Sequence, residues 1–219
     1  GSAVEQLCED VALVSCPVVL IDRLTQCGWC DAVGFDNYLG GRLAAQYLLE
    51  GGHTRIGIVT GDIAESSAAE RRRGFVDAIE QSGKHFDSSL CVEGDYRFDS
   101  GYRAANQIID GGATAVFCCN DVMALGFRQR MAERGLHVTE DMQVIGYDNI
   151  LKRFGLGWRM TTVEQSVTDL AAACWGMLRK RIDVAVRAKS GTESGDARPW
   201  LSDPQVEVLT PKLVQAACA

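Results

Sequence analysis

Between residues 55 and 149 the chain switches repeatedly from a short apolar run to a stretch of helical spacing. No other feature restricts its fold as much. Residues 55–60 (R-I-G-I-V-T) are followed by a helical pattern over 65–82, and 90–93 by one over 99–110. Residues 115–119 (A-V-F-C-C) lead into helical spacing to Arg134, and 143–147 (Q-V-I-G-Y) form a fourth run. Gly83, Gly111-Gly112 and Gly135 close the helices, as glycine does just past a helix end. The runs are short, β-branched or aromatic, and do not alternate with polar residues, which marks strands buried on both faces. Strands separated by helices pair in parallel through right-handed crossovers. The expected class is α/β, with doubly wound parallel sheets.

The flanks extend the pattern. Residues 3–15 have helical apolar spacing, 18–21 are a β-branched run and 32–35 a second one. A helix is expected over 38–50, ended by Gly51-Gly52. Residues 160–163 read as a strand, 165–188 as a long helix, 189–203 as a polar loop and 206–209 as a last strand.

Composition narrows the function classes. At 219 residues and 47% apolar, the chain has material for a sizeable core or two small lobes. No apolar run is long enough for a bilayer, and no secretory signal is visible, so a cytoplasmic location without membrane contact is expected. A net charge of −7 argues against nucleic-acid binding by these residues alone, because neutralising phosphates needs a basic surface. Nine cysteines, odd in number and scattered, fit a reducing compartment. Cys27-Gly28-Trp29-Cys30 has redox or zinc spacing, but it has no second pair and no neighbouring histidine, and a surface loop is the preferred reading. His53 reads as a structural turn residue. The phosphate loop, dinucleotide fingerprint, nucleophile elbow and H-E-x-x-H motifs are all missing, so neither catalysis nor a cofactor is expected.

Open α/β sheets bind ligands outside the carboxyl ends of their strands. Read in order, those ends carry Asp22; then Ser67 and Arg71, on the helix after the 55–60 run; then Tyr96, Asn120 and Asp148. Asp121 is expected to cap the helix that follows Asn120, which leaves Asn120 for a ligand. Carboxylates, an amide and a guanidinium engage neighbouring hydroxyls with paired hydrogen bonds, while an aromatic ring packs on a sugar's C–H face. Taken singly, each residue suits a cap or a turn. Their coincidence at five strand ends points to one site for a sugar or similar polyol. Arg71, Arg72 and Arg73 point in different directions on a helix, so only Arg71 is assigned to it.

These residues sit in stretches that resemble the LacI/GalR family of bacterial transcriptional regulators. The stretches are P-V-V-L-I-D-R at 17–23, V-G-F-D-N-Y-L-G-G at 33–41, G-H-T-R-I-G at 52–57 and A-A-E-R-R-R-G-F at 68–75. G-D-Y-R-F-D-S-G-Y at 94–102, T-A-V-F-C-C-N-D-V-M-A-L-G at 114–126, V-I-G-Y-D-N at 144–149 and T-T-V-E-Q at 161–165 keep the same order. The resemblance implies a periplasmic-binding-protein-like core of two lobes with the first incomplete. Residues 1–35 and 164–190 would be its remnant, and 36–163 with 206–219 the second lobe. It implies a small carbohydrate-like effector held between lobes by Asp22, Ser67, Arg71, Tyr96, Asn120, Asp148 and Gln165. It also implies a homodimer in the full-length protein, and operator DNA bound only through a headpiece outside this chain. The stretch L-G-W-R-M before T-T-V and the residues after 209 depart from the family pattern. Two other readings share the architecture: a periplasmic sugar-binding protein serving a transporter, and a doubly wound nucleotide-dependent enzyme.

Overall fold

The computed structural model describes residues 6, 9–10, 13–22, 24, 30–151, 160–190 and 203–216. They fall into two compact units, Gly1–Phe35 with Ser166–Leu209, and Asp36–Gln165 with Thr210–Ala219. Among the described residues no helix is long and apolar enough to cross a membrane.

In the first unit, residues 6, 9, 10 and 13 are helical. Strands β1 (Val19–Ile21), β2 (Asp31–Phe35) and β8 (Val206–Leu209) form a parallel sheet in the order β1-β2-β8. Every residue of β2 is buried, as a central parallel strand requires. The helix α5 (Val167–Ser190) packs on this sheet. Its Arg181 grips Asp31 with two hydrogen bonds, 2.8 Å from Nε and 2.5 Å from Nη2. Asp31 also accepts from the Gln205 amide at 2.8 Å. That last bond seats the residue before β8, and Ala32 then pairs with Val206. The strand at 206–209, expected with the second lobe, therefore belongs to the first unit. A four-residue apolar run does not encode which sheet it joins; here a buried carboxylate 174 residues away in sequence decides.

The second unit is a six-stranded sheet in the order β4-β3-β5-β6-β7-β9. Its strands are β3 (Ile56–Thr60), β4 (Cys91–Glu93), β5 (Ala115–Cys118), β6 (Gln143–Asp148), β7 (Thr162–Glu164) and β9 (Lys212–Val214). All pairings are parallel except β7 with β9. The antiparallel β9 was not expected. Helices α1 (Asn37–Glu50) and α2 (Ser66–Gln81) pack on each other, as do α3 (Phe98–Asp110) and α4 (Asp121–Glu133). Between β3 and β4 the chain steps one way across the sheet; from β4 through β5 to β6 it steps the other way. Right-handed crossovers therefore put α2 on one face and α3 and α4 on the opposite one, and make the β3/β5 junction the topological switch point.

Two glycine crossings bring the helix pairs together. A Cβ on Gly41 would strike the Arg71 carbonyl, and one on Gly74 the Tyr38 carbonyl; Gly101 and Gly126 do the same for α3 and α4. The core between α2 and the sheet carries a run of rings. Phe75 lies 5.4 Å from Phe117, and Phe117 lies 6.1 Å from Tyr147. That run ends under the carboxyl ends of the strands.

Candidate functional site

Arg71 is the centre of the second unit's polar edge. It lies on the second turn of α2, yet only 4% of it is exposed. Nε donates to Asn37 Oδ1 at 2.8 Å, and Nη1 donates to the Cys119 carbonyl at 2.7 Å. Its guanidinium carbon stands 3.8 Å from the centre of the Tyr147 ring, a cation–π stack. Burial alone would lower the Arg71 pKa, but Tyr147, Asp148, Cys119 and Tyr96 outweigh it and hold the charge more firmly than usual. A buried cation held by neutral acceptors keeps most of its charge available to an incoming group.

The other expected residues gather around this cation, with one exception. Asp148, at the end of β6, is half-buried and acts electrostatically on Arg71. Tyr96 is half-buried, its phenol pKa raised by burial, and its side chain hydrogen-bonds Ser67. The ring lies so close to Gly61 that any side chain at that position would enter it. Gln165 reaches toward Asn37 Oδ1 at 3.4 Å and the Tyr147 hydroxyl at 3.5 Å, both long contacts. Asn120 Nδ2 donates to the Tyr96 carbonyl at 2.9 Å. Ser67, Arg71, Tyr96, Asn120, Asp148 and Gln165 thus form one connected set. Asp22 belongs to the first unit, where its amide donates to the Val33 carbonyl at 2.8 Å.

The backbone marks the same places. Asp22, Tyr96 and Asp148 have φ of 59°, 64° and 96°, and Asn149, next to Asp148, has 56°. Left-handed backbone at a non-glycine residue costs on the order of 1–3 kcal/mol and concentrates at ligand sites.

Two expectations are corrected in detail. The cap of α4 is Asn120, not Asp121: Asn120 Oδ1 accepts from the Met123 amide at 2.8 Å. Asn120 has extended backbone, which a cap needs, whereas Asp121 is already helical. Asn120 therefore braces the loop that carries Tyr96, and its oxygen is committed to the helix. Asp121 is 1% exposed and turned inward. The site also includes residues that the strand-end reading passed over. Asn37 sits just past β2, in an Asp-Asn pair of the same kind as the others, and Tyr147 is the last inward residue of β6. Asp36 caps α1 by accepting from the Leu39 amide at 2.8 Å, which leaves Asn37 to face Arg71.

Around the site, Arg72 is exposed, and Arg73 pairs with Glu70 at 2.5 Å and lies over the Tyr38 ring. His53 Nδ1 lies 3.0 Å from Thr114 Oγ1, and burial lowers its pKa. Cys27 lies outside the described residues, and Cys30 is buried. Among the described residues no group of His, Cys, Asp and Glu is placed to hold a metal ion.

The chain matches the periplasmic binding protein-like domain over residues 45–197. It is 37% identical over 171 residues to the HTH-type transcriptional repressor PurR of Pasteurella multocida, which covers 77% of this chain and 51% of that protein. The chain spans about half the length of the curated relatives it matches. Among solved structures it resembles a LacI family transcriptional regulator from Enterococcus faecium with bound ribose. That match has a TM-score of 0.78 and 26% identity, over 91% of this chain and 69% of the other. It also resembles the transcriptional regulator CelR in complex with cellobiose, with a TM-score of 0.75 and 27% identity over 99% and 70%.

Proposed function

Since the chain belongs to the periplasmic binding protein-like domain family, as the effector-binding domain of a LacI/GalR-type regulator, we propose that its second unit binds a small polyhydroxylated effector against Arg71. The observation that carries this reading is the buried guanidinium, fixed by neutral oxygens and a ring, with Asp148 and Tyr96 beside it. Arg71 donates to hydroxyl oxygens, Asp148 accepts from hydroxyl hydrogens, and the Tyr96 ring covers a C–H face. Ser67 and Asn120 set the Tyr96 loop, and Gln165 adds an amide. The ribose and cellobiose bound to two similar regulators support a carbohydrate class. Asp22 stays a candidate on the strength of the resemblance, and its Ala variant tests it separately.

The role is binding without turnover. In the full-length protein, a cytoplasmic homodimer, effector occupancy would bias operator affinity through a headpiece outside this chain. Such coupling typically amounts to about 1–3 kcal/mol and requires different affinities for the two arrangements. Calorimetric titration of the chain with ribose and with cellobiose, repeated with Arg71→Ala, tests the reading. Saturable heat that the Ala variant abolishes is expected. Unchanged binding by that variant, or no heat from either sugar, would overturn the assignment to carbohydrate at Arg71.

A further inference from the structure

We propose that Asp121 is a positioning residue of this site: its carboxylate fastens the turn after β6 to β7 and so fixes Asp148 in the conformation that sets it beside Arg71. The proposal rests on the reading of Asp148 as an effector ligand. Its observations, however, are separate. Asp121 begins α4 and is buried beneath the sheet's polar edge. Thr162 Oγ1, on β7, donates to Oδ1 at 2.7 Å. The Ile150 amide donates to Oδ2 at 2.8 Å, and the Leu151 amide is a third donor. Gly146 leaves room for Oδ1, because any side chain there would strike it.

Just before these amides come Asp148, the last residue of β6, and Asn149, both with positive φ. Such a backbone persists only when its surroundings hold it. Asp121 holds it from below; from the side, Asn149 Nδ2 donates to Glu164 Oε1 on β7 at 2.8 Å. One buried anion therefore ties α4, the turn and β7 together at the point where Asp148 leaves the sheet.

The hold depends on charge. The Asp121 pKa is raised to about 6: burial and, less strongly, Asp148 lift it, and the Thr162, Ile150 and Leu151 donors oppose the rise. The groups around it are Asp148 from β6, Cys118 from β5, Thr162 from β7 and the two turn amides; Glu164 of β7 is engaged by Asn149. None of these is a cation. While the unit stays folded, Asp121 remains buried when the turn opens, and losing the amide donors raises its pKa further; protonation therefore favours the open turn, and acid loosens it.

Amide hydrogen exchange of Ile150 and Leu151 in the whole chain, corrected for intrinsic rates, reads the clamp directly. Protection is expected to fall roughly tenfold between about pH 7.5 and about pH 5, the loss of one charge-assisted bond. Asp121→Asn should abolish that pH dependence. Thr162→Val keeps the carboxylate but removes one donor that stabilises it, so its midpoint should move to higher pH. Protection that ignores pH in the wild type, or an unchanged fall in Asp121→Asn, would overturn the clamp. Ribose affinity measured across the same range should follow the same midpoint. Affinity flat with pH beside a clear change in exchange would overturn the positioning role and leave the clamp. Absence of ribose binding at any pH would count against the effector reading, and exchange would still decide the clamp.

Discussion

Each unit holds a buried aspartate and an arginine that is at least mostly buried, and the two units treat them in opposite ways. In the first, Arg181 and Asp31 meet in a two-pronged ion pair, and Asp31 Oδ1 also accepts from the Gln205 amide. Hydrogen bonding to Asp31 raises the Arg181 pKa, and the pair is electrically closed. In the second, Arg71 and Asp121 do not pair. Arg71 is held by the Asn37 and Cys119 oxygens, and Asp121 by a hydroxyl and two amides. Neutral partners satisfy the geometry of a charge without cancelling it. A closed pair reads as architecture, and an open one as a site waiting for a complementary group.

The contrast is broken most forcefully at Asp31. Asp31→Ala leaves Arg181 without its carboxylate in a mostly buried position and should destabilise the first unit by about 3–5 kcal/mol, measured by urea denaturation. A cost under about 1 kcal/mol would show that the pair is not structural.

Asp121 should behave in the reverse sense. Its folded pKa of about 6 lies above the 3.8 of an ordinary aspartate, so between those values the folded state holds a proton that the unfolded state has released. Stability of the second unit should therefore fall as pH rises through that window, by about 3 kcal/mol at most, and stay level above it. The difference between wild type and Asp121→Asn in denaturation across about pH 4 to 7 isolates this contribution from other carboxylates. A wild-type curve rising through the window relative to the variant would contradict it.

Arg71→Ala should weaken sugar binding roughly a hundredfold, the loss of two hydrogen bonds from a charged donor. Arg71→Lys should recover little of it, because a lysine cannot fork between Asn37 and Cys119. The smallest change is expected from Tyr96→Phe, which keeps the ring and loses the bond to Ser67. Affinity should drop only about threefold, within the worth of one neutral hydrogen bond. A larger loss would mean that the hydroxyl, rather than the ring, meets the effector.

Much of this was legible before any coordinates. The order of strands and helices from 55 to 148 follows from runs buried on both faces and from the glycines between them. That Tyr96 and Asp148 stand at one edge follows from strand direction, and Arg71 joins them through its place on the helix after the 55–60 run. What stayed hidden was decided by contacts distant in sequence. Asn37 carries no sequence signal for its place beside Arg71, because only the packing of α2 on α1 brings Arg71 against it. Tyr147 looked like core, which it is, but its other ring face supports the guanidinium. Asn120 and Asp121 are adjacent and both able to cap, and only backbone angles separate the cap from the buried acid. Neither β8 nor β9 carries a signal for its partner, since short strands at sheet margins take their register from whatever edge is open.

The glycine crossing of α1 and α2 has its own consequence for the site. Gly41 meets the carbonyl of Arg71, and Gly74 meets the carbonyl of Tyr38, the residue after Asn37. With no side chains to act as bearings, the two helices are locked backbone to backbone and travel as a single plate. The spacing between Asn37 and Arg71 is therefore machined by the main chain, and a methyl group wedged into that crossing would detune the site without touching any residue in it.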